Sequence, residues 1–194
     1  MFLPEVEGNP QPGPTTDLIH IAQSAGTQYP KIWHLFGYRP QATTHLGAFT
    51  HEIMRGDCPL SSGIRELIAA FTSYRNDCPF STKYHVAVAA ELLGSEELVW
   101  GVLHDLETSA LPEKEKVLFR FIDKVNSESP KITAEDMRPL HAAGWTDEAI
   151  YYAITVCALF NFYNRWIDAS GVHALSDEAH RAGGKRSAAH GYAR

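Results

Sequence analysis

Residues 61–94 read SSGIRELIAAFTSYRNDCPFSTKYHVAVAAELLG, and this stretch constrains the fold more than any other. Ile64, Leu67, Ile68 and Phe71 recur at helical spacing behind Ser61 or Ser62, either of which can cap the start. After a short loop at Arg75–Asp77, Asp77 can cap a second helix running from about Cys78 to Leu93. Pro79 falls in its first turn, where a missing N–H costs nothing, and Gly94 ends it. A connection this short leaves two helices no arrangement but antiparallel neighbours.

The same punctuation divides the rest of the chain. Thr16 or Asp17 can cap a helix that Gly26 ends, and Pro40 opens one that runs from Pro40 to Arg55 and stops at Gly56. Ser95 caps EELVWGVLHDLE. Pro112 opens a helix whose Val117, Leu118, Phe121, Ile122 and Val125 form an apolar stripe. Thr133 with Asp136 resembles a capping box, and Thr146 starts the longest pattern, ending near Ser170 before Gly171. No run alternates with period two, and Asn-Gly or Asp-Gly hairpin signals are absent. The expected fold is all-α, a compact multi-helix bundle.

Residues 1–14 carry four prolines and two glycines and read as an extended N-terminal arm. Residues 15–175 read as a single helical domain with its core motif at 61–94, and residues 176–194 as a polar C-terminal tail. A chain of this length buries about 70% of its unfolded surface and needs no staple. The net charge of −6 argues against nucleic acid or an anionic membrane as partner. No stretch approaches the ~18 apolar residues of a membrane span. The N-terminus lacks the basic and apolar regions of a signal peptide. Cys58, Cys78 and Cys157 are too scattered for a disulfide framework, so a reducing cytoplasm is the expected location.

Cys78, Ser81 and His85 stand at i, i+3 and i+7, which places them on one stripe of the second helix. Cys78 at the helix start would meet free N–H groups and the positive end of the dipole, which favour a thiolate. Glu66 lies about three turns before the loop and His85 about two turns after it, so the two can meet across the interface. A carboxylate on a histidine fixes its tautomer and strengthens it as a base. The plainer reading of the same spacing is a buried cap cysteine and a satisfied core histidine. A Ser81–His85–Glu66 hydrolase has the right residue types, but nucleophile and base one turn apart leave no evident oxyanion donors.

The 61–94 stretch resembles the core of the alkylhydroperoxidase D and carboxymuconolactone decarboxylase superfamily. That family shows a glutamate, eleven residues, then Cys-x-x-Cys-x-x-x-His. Glu66 matches the acid, Cys78 the first cysteine and His85 the histidine, while Ser81 occupies the second cysteine's place. The stretches LETSALPEKEKVLFRFIDKV and ITAEDMRPLHAAGWTDEAIYYAITVCALFNFYNRW resemble the peroxidase-related branch, and the likeness spans roughly residues 40–172. In redox members, as the resemblance implies, the second cysteine attacks the peroxide with help from a glutamate–histidine relay and the first resolves it. A serine hydroxyl forms no sulfenic acid, so that cycle cannot run here unchanged.

The reading that the resemblance favours is an alkylhydroperoxidase-like, peroxidase-related oxidoreductase with an altered single-cysteine site, and two alternatives stand beside it. Cys78 alone serves as a peroxidase or redox thiol, resolved from outside or by Cys58. Alternatively, Glu66 and His85 transfer protons on a carbonyl or lactone compound, as the decarboxylase branch does without a cysteine pair. In the third, the fold persists as a binding module. The candidate site is Glu66, Cys78, Ser81 and His85, the partner a small molecule (peroxide or carbonyl/lactone compound), and the assembly a homo-oligomer by resemblance. No cofactor or metal is implied, since His45, His51 and Glu52 lack metal-ligand spacing. Asn161, Asn164 and Arg165 sit within the aromatic run of the last long helix, where they can line a pocket or satisfy a contact.

Overall fold

The computed structural model describes residues 1–192 and contains eleven α-helices, with no strand among the described residues. In chain order they are α1 (Pro4–Gly8), α2 (Pro14–Ser24), α3 (Ile32–Tyr38), α4 (Pro40–Arg55), α5 (Ser62–Arg75) and α6 (Pro79–Leu93). Then follow α7 (Glu96–His104), α8 (Glu113–Glu128), α9 (Met137–Ala142), α10 (Asp147–Ser170) and α11 (Asp177–His190). The all-α expectation holds, and no helix among the described residues is long and apolar enough to cross a membrane.

The α5–α6 hairpin is the centre of the bundle. Ser61 accepts from the Ile64 N–H at 3.2 Å and starts α5. Every residue from Arg65 to Ser73 is buried, because α6, α7, α8, α10 and α4 surround this helix. Phe71 meets Phe119 edge to face at 5.3 Å in that core. Arg65 is buried with no acid partner among the described residues and donates from Nη1 to the carbonyls of Ile53 and Gly56, satisfying the end of α4. At the hairpin the cap differs from expectation. Asp77 takes a left-handed conformation (φ 52°) to turn the chain, and Cys78 becomes the N-cap, with no side-chain capping bond. Gly94 then ends α6 at φ 75°.

Both ends of the chain depart from the expected arm and tail. The first residues form α1, with Pro4 in its first turn. They dock through Phe2 N–H to the Ser170 carbonyl at 2.9 Å and Gln11 N–H to the Gly37 carbonyl at 2.7 Å. Glu7 ties the N-terminal ammonium and Lys31 together, and these partners hold its carboxyl down to about 2. The prolines that suggested an extended arm instead suit helix starts at Pro4 and Pro14.

Residues 177–190 form a capped helix, α11, which lies along α6. Ser176 accepts from Ala179 N–H, and Asp177 and Glu178 occupy the dipole-favoured first turn. The composition of this segment is polar because small residues and hydrogen bonds make the contact. Gly184 backs onto Ala87, Ser187 bonds Tyr84, and Lys83 pairs with Asp177 at 2.8 Å. The last two residues, Ala193 and Arg194, lie outside the described residues.

A methyl group added at Gly184 would stand 2.8 Å from the Ala87 backbone. Helix propensity alone would make Gly184→Ala stabilising by about 1 kcal/mol. The clash reverses the sign, and urea denaturation is expected to show a loss of about 1–3 kcal/mol.

Candidate functional site

The carboxylate of Glu66 is fully enclosed and makes three charge-assisted contacts. Its Oε2 meets His85 Nδ1 at 2.7 Å. Its Oε1 receives Arg55 Nη2 and the Tyr192 hydroxyl, both at 2.7 Å. Burial pushes the Glu66 carboxyl up, but His85, Arg55 and Tyr192 together outweigh it and hold the group below its ordinary range. Arg55 comes from the last turn of α4, His85 from the middle of α6, and Tyr192 from just beyond α11. Three distant segments thus converge on one charge.

His85 is fixed as firmly as its partner. Phe160 packs edge-on against the imidazole with ring centres 4.4 Å apart, and Tyr84 does so at 5.2 Å. With Nδ1 held by the carboxylate, Nε2 is the ring nitrogen left for chemistry. Both His85 and Ser81 line a cavity of about 510 Å³. Aromatic residues Trp33, Phe36, Phe80, Phe160 and Tyr163 form much of its wall, and Gln11 to Thr16 contribute part of one side. Among the described residues, no lysine, arginine, aspartate or glutamate lines it.

Cys78 is placed otherwise than expected. It is fully buried among core residues and is absent from the cavity wall. Burial and the nearby Asp168 carboxylate push its thiol from the ordinary 9.0 up to about 12, although the Ser81 N–H and Asn164 pull the other way. That shift corresponds to roughly 4 kcal/mol against the thiolate. A helix N-terminus offers about 1 kcal/mol in its favour. Desolvation wins, so the expected thiolate gives way to a sealed thiol. Cys58, half-buried, donates to the Leu60 carbonyl, and all three cysteines are free.

Ser81 bonds not to His85 but to Ser73 on α5, Oγ to Oγ at 2.9 Å. Behind Ser73 lies a set of amides, Asn164, Asn76, Asn126 and Asn161, which join α5, α8 and α10 and end at exposed Arg165. Asn161, Asn164 and Arg165 therefore form one network with the loop residue Asn76. Sequence reasoning missed Arg55, Tyr192, Ser73, Asn76 and Asn126. Arg55 offered only its place in a last helical turn, and Tyr192 lay in a stretch without apolar periodicity. His51, whose spacing suits no metal, lines the cavity and accepts the Tyr192 N–H at 3.2 Å.

Two outcomes follow from these surroundings. Iodoacetamide is expected to modify Cys58 in the folded protein, while Cys78 and Cys157 stay unlabelled until denaturant unfolds it, as read by peptide mass spectrometry. Glu66 is depressed when folded, so its stabilisation is present above the usual carboxylate range and fades as the pH falls below it. Glu66→Gln is expected to cost about 3 kcal/mol near neutral pH and to flatten the acid-side fall in melting temperature.

No protein-family model and no curated protein matches the chain. Solved structures do. A peroxidase-related protein from Silicibacter sp. TM1040 superposes with a TM-score of 0.77 at 25% identity, covering 89% of this chain and 90% of the other. An alkylhydroperoxidase AhpD-core, peroxidase-related protein from Ralstonia eutropha JMP134 gives 0.75 at 22%, covering 88% of each chain. A debrominase, Bmp8, in which a cysteine is replaced by alanine and 2,3,4-tribromopyrrole is bound, gives 0.69 at 19%, covering 91% of this chain and 95% of that one. Over most of its length the chain has the all-helical fold of the alkylhydroperoxidase AhpD core and its peroxidase-related proteins.

Proposed function

We propose that this protein is a proton-transfer enzyme in which His85 is the base and acid and Glu66 its orienting carboxylate. The observation that carries this reading is the 2.7 Å His85 Nδ1–Glu66 Oε2 contact at the edge of the cavity, with Cys78 outside it. The pair sets the imidazole so that Nε2 takes a proton from substrate, and the ionised Glu66 stabilises the imidazolium that results. The same nitrogen then returns the proton to another carbon or oxygen. No electrons change hands, and no cysteine is consumed.

The cavity wall supports one substrate class over others. With no lysine or arginine lining it among the described residues, a substrate carboxylate would enter without a fixed counter-charge, which is costly at an apolar site. An uncharged, ring-sized compound with an acidic C–H, such as a cyclic ketone or a neutral lactone, fits the volume and the aromatic walls. The fold accommodates a molecule of similar compactness in the debrominase, where 2,3,4-tribromopyrrole is bound. The peroxidase-related names of the other neighbours favour redox chemistry, and the burial of Cys78 opposes it.

Exchange in heavy water tests the assignment. Uncharged cyclic ketones and lactones are incubated with protein, and loss of the C–H signal is followed by proton NMR. Wild type and Cys78→Ser are expected to exchange the acidic proton, and His85→Gln to fall by about 10²-fold or more. Peroxide consumption that depends on Cys78, with no exchange activity, would overturn the proposal.

A further inference from the structure

Ser81 stands at the cavity in the place where the related motif has a second cysteine, and a series of hydrogen bonds leads toward it, with one longer branch from Asn76 Nδ2 back to Asn161 Oδ1 at 3.3 Å. Arg165 Nη1 donates to Asn161 Oδ1 at 2.6 Å. An arginine has no acceptor, so this contact fixes which end of the Asn161 amide faces it. Asn161 Nδ2 must then donate onward, and it does, to Asn126 Oδ1 at 2.6 Å. Asn126 Nδ2 donates to Asn76 Oδ1, and Asn76 Nδ2 to Asn164 Oδ1, each at 2.9 Å. Asn164 Nδ2 donates to Ser73 Oγ at 3.0 Å.

The last step is decided by satisfaction. Ser73 is fully buried, and its hydroxyl has only Asn164, a donor, and Ser81 as partners among the described residues. A buried hydroxyl proton without an acceptor costs about 1–3 kcal/mol, so Ser73 O–H donates to Ser81 Oγ. With that oxygen accepting, the proton of Ser81 is left to point elsewhere, and Ser81 lines the cavity. Each bond in such a series polarises the next toward donation.

We propose that Ser81 is a hydrogen-bond donor to an oxygen of the substrate that becomes negative during reaction, with Ser73, Asn164, Asn76, Asn126, Asn161 and Arg165 as positioning residues. The serine is thus an electrophilic group, not a nucleophile and not a disabled cysteine. It supplies what the His85 base otherwise lacks in a cavity that no lysine or arginine lines among the described residues, namely stabilisation of the oxygen that gains charge as the proton leaves carbon. This deepens the proton-transfer reading and rests on it for its role in turnover. The test below reads the donor itself and is independent of exchange activity.

The probe is 4-nitrophenol, a compact ring whose anion carries its charge on oxygen and absorbs in the visible. Bound probe is titrated spectrophotometrically with pH. The titratable groups on the cavity wall, His51, Tyr84, His85, Tyr163 and Tyr192, are the same in wild type and in every variant used. Wild type is expected to bind the neutral phenol, and Ser81→Ala to bind it too but to ionise it about one pH unit higher, the equivalent of a tenfold weaker hold on the charged oxygen. Ser81→Thr is expected to restore the wild-type ionisation. Arg165→Ala, at an exposed position, is expected to shift the ionisation in the same direction by a smaller amount while the melting temperature holds. The proposal is overturned if wild type does not bind the phenol, or if Ser81→Ala ionises the bound phenol at the same pH as wild type. Failure of the proton-transfer reading looks different, since exchange would then be indifferent to His85 while these shifts persist.

Discussion

A carboxylate at the centre of an apolar bundle is the constraint around which this protein is arranged. Glu66 stands on the most enclosed helix, and an isolated charge there would be driven to neutralise. It stays ionised because Arg55, His85 and Tyr192 reach it from three separate parts of the chain. The carboxylate therefore dictates where the end of α4, the middle of α6 and the segment after α11 must lie. The orientation of His85 is one consequence of that demand.

The second consequence concerns the ends of the chain. α11 runs along α6 and delivers Tyr192 to the carboxylate, while residues near the N-terminus wall the cavity. α11 carries few apolar side chains, and it is held by an ion pair, hydrogen bonds and close backbone approach at Gly184. A segment of this kind gains little from hydrophobic burial and depends on geometry, so its polar composition is no guide to its exposure.

Two polar systems meet at the cavity with opposite sense. Glu66 draws hydrogen bonds toward a negative charge and leaves His85 Nε2 as an acceptor. The amide series from Arg165 pushes hydrogen bonds away from a positive charge and leaves Ser81 as a donor. An acceptor and a donor side by side in an aromatic cavity suit a substrate that loses a proton at one atom while charge builds at a neighbouring oxygen. Cys78 takes no part, because desolvation outweighs the helix dipole that its position promised.

Much of this was legible in the residues. Period 3.6 without period two, with the stops at Gly94 and Gly171 and the cap at Thr146, determined an all-helical chain, and the short loop after Arg75 determined the α5–α6 hairpin. The spacing of Glu66 and His85 about that loop brought the pair within reach, since helical geometry is local and repeats faithfully. Tertiary structure alone decided which atoms have no water around them. It sealed Cys78, turned Asp77 from a cap into a left-handed turn, and recruited Arg55 and Tyr192. It also aligned amides from α8, α10 and a loop into one series. Those outcomes depend on desolvation and on contacts between residues far apart in the chain, and neither leaves a periodic mark in the sequence.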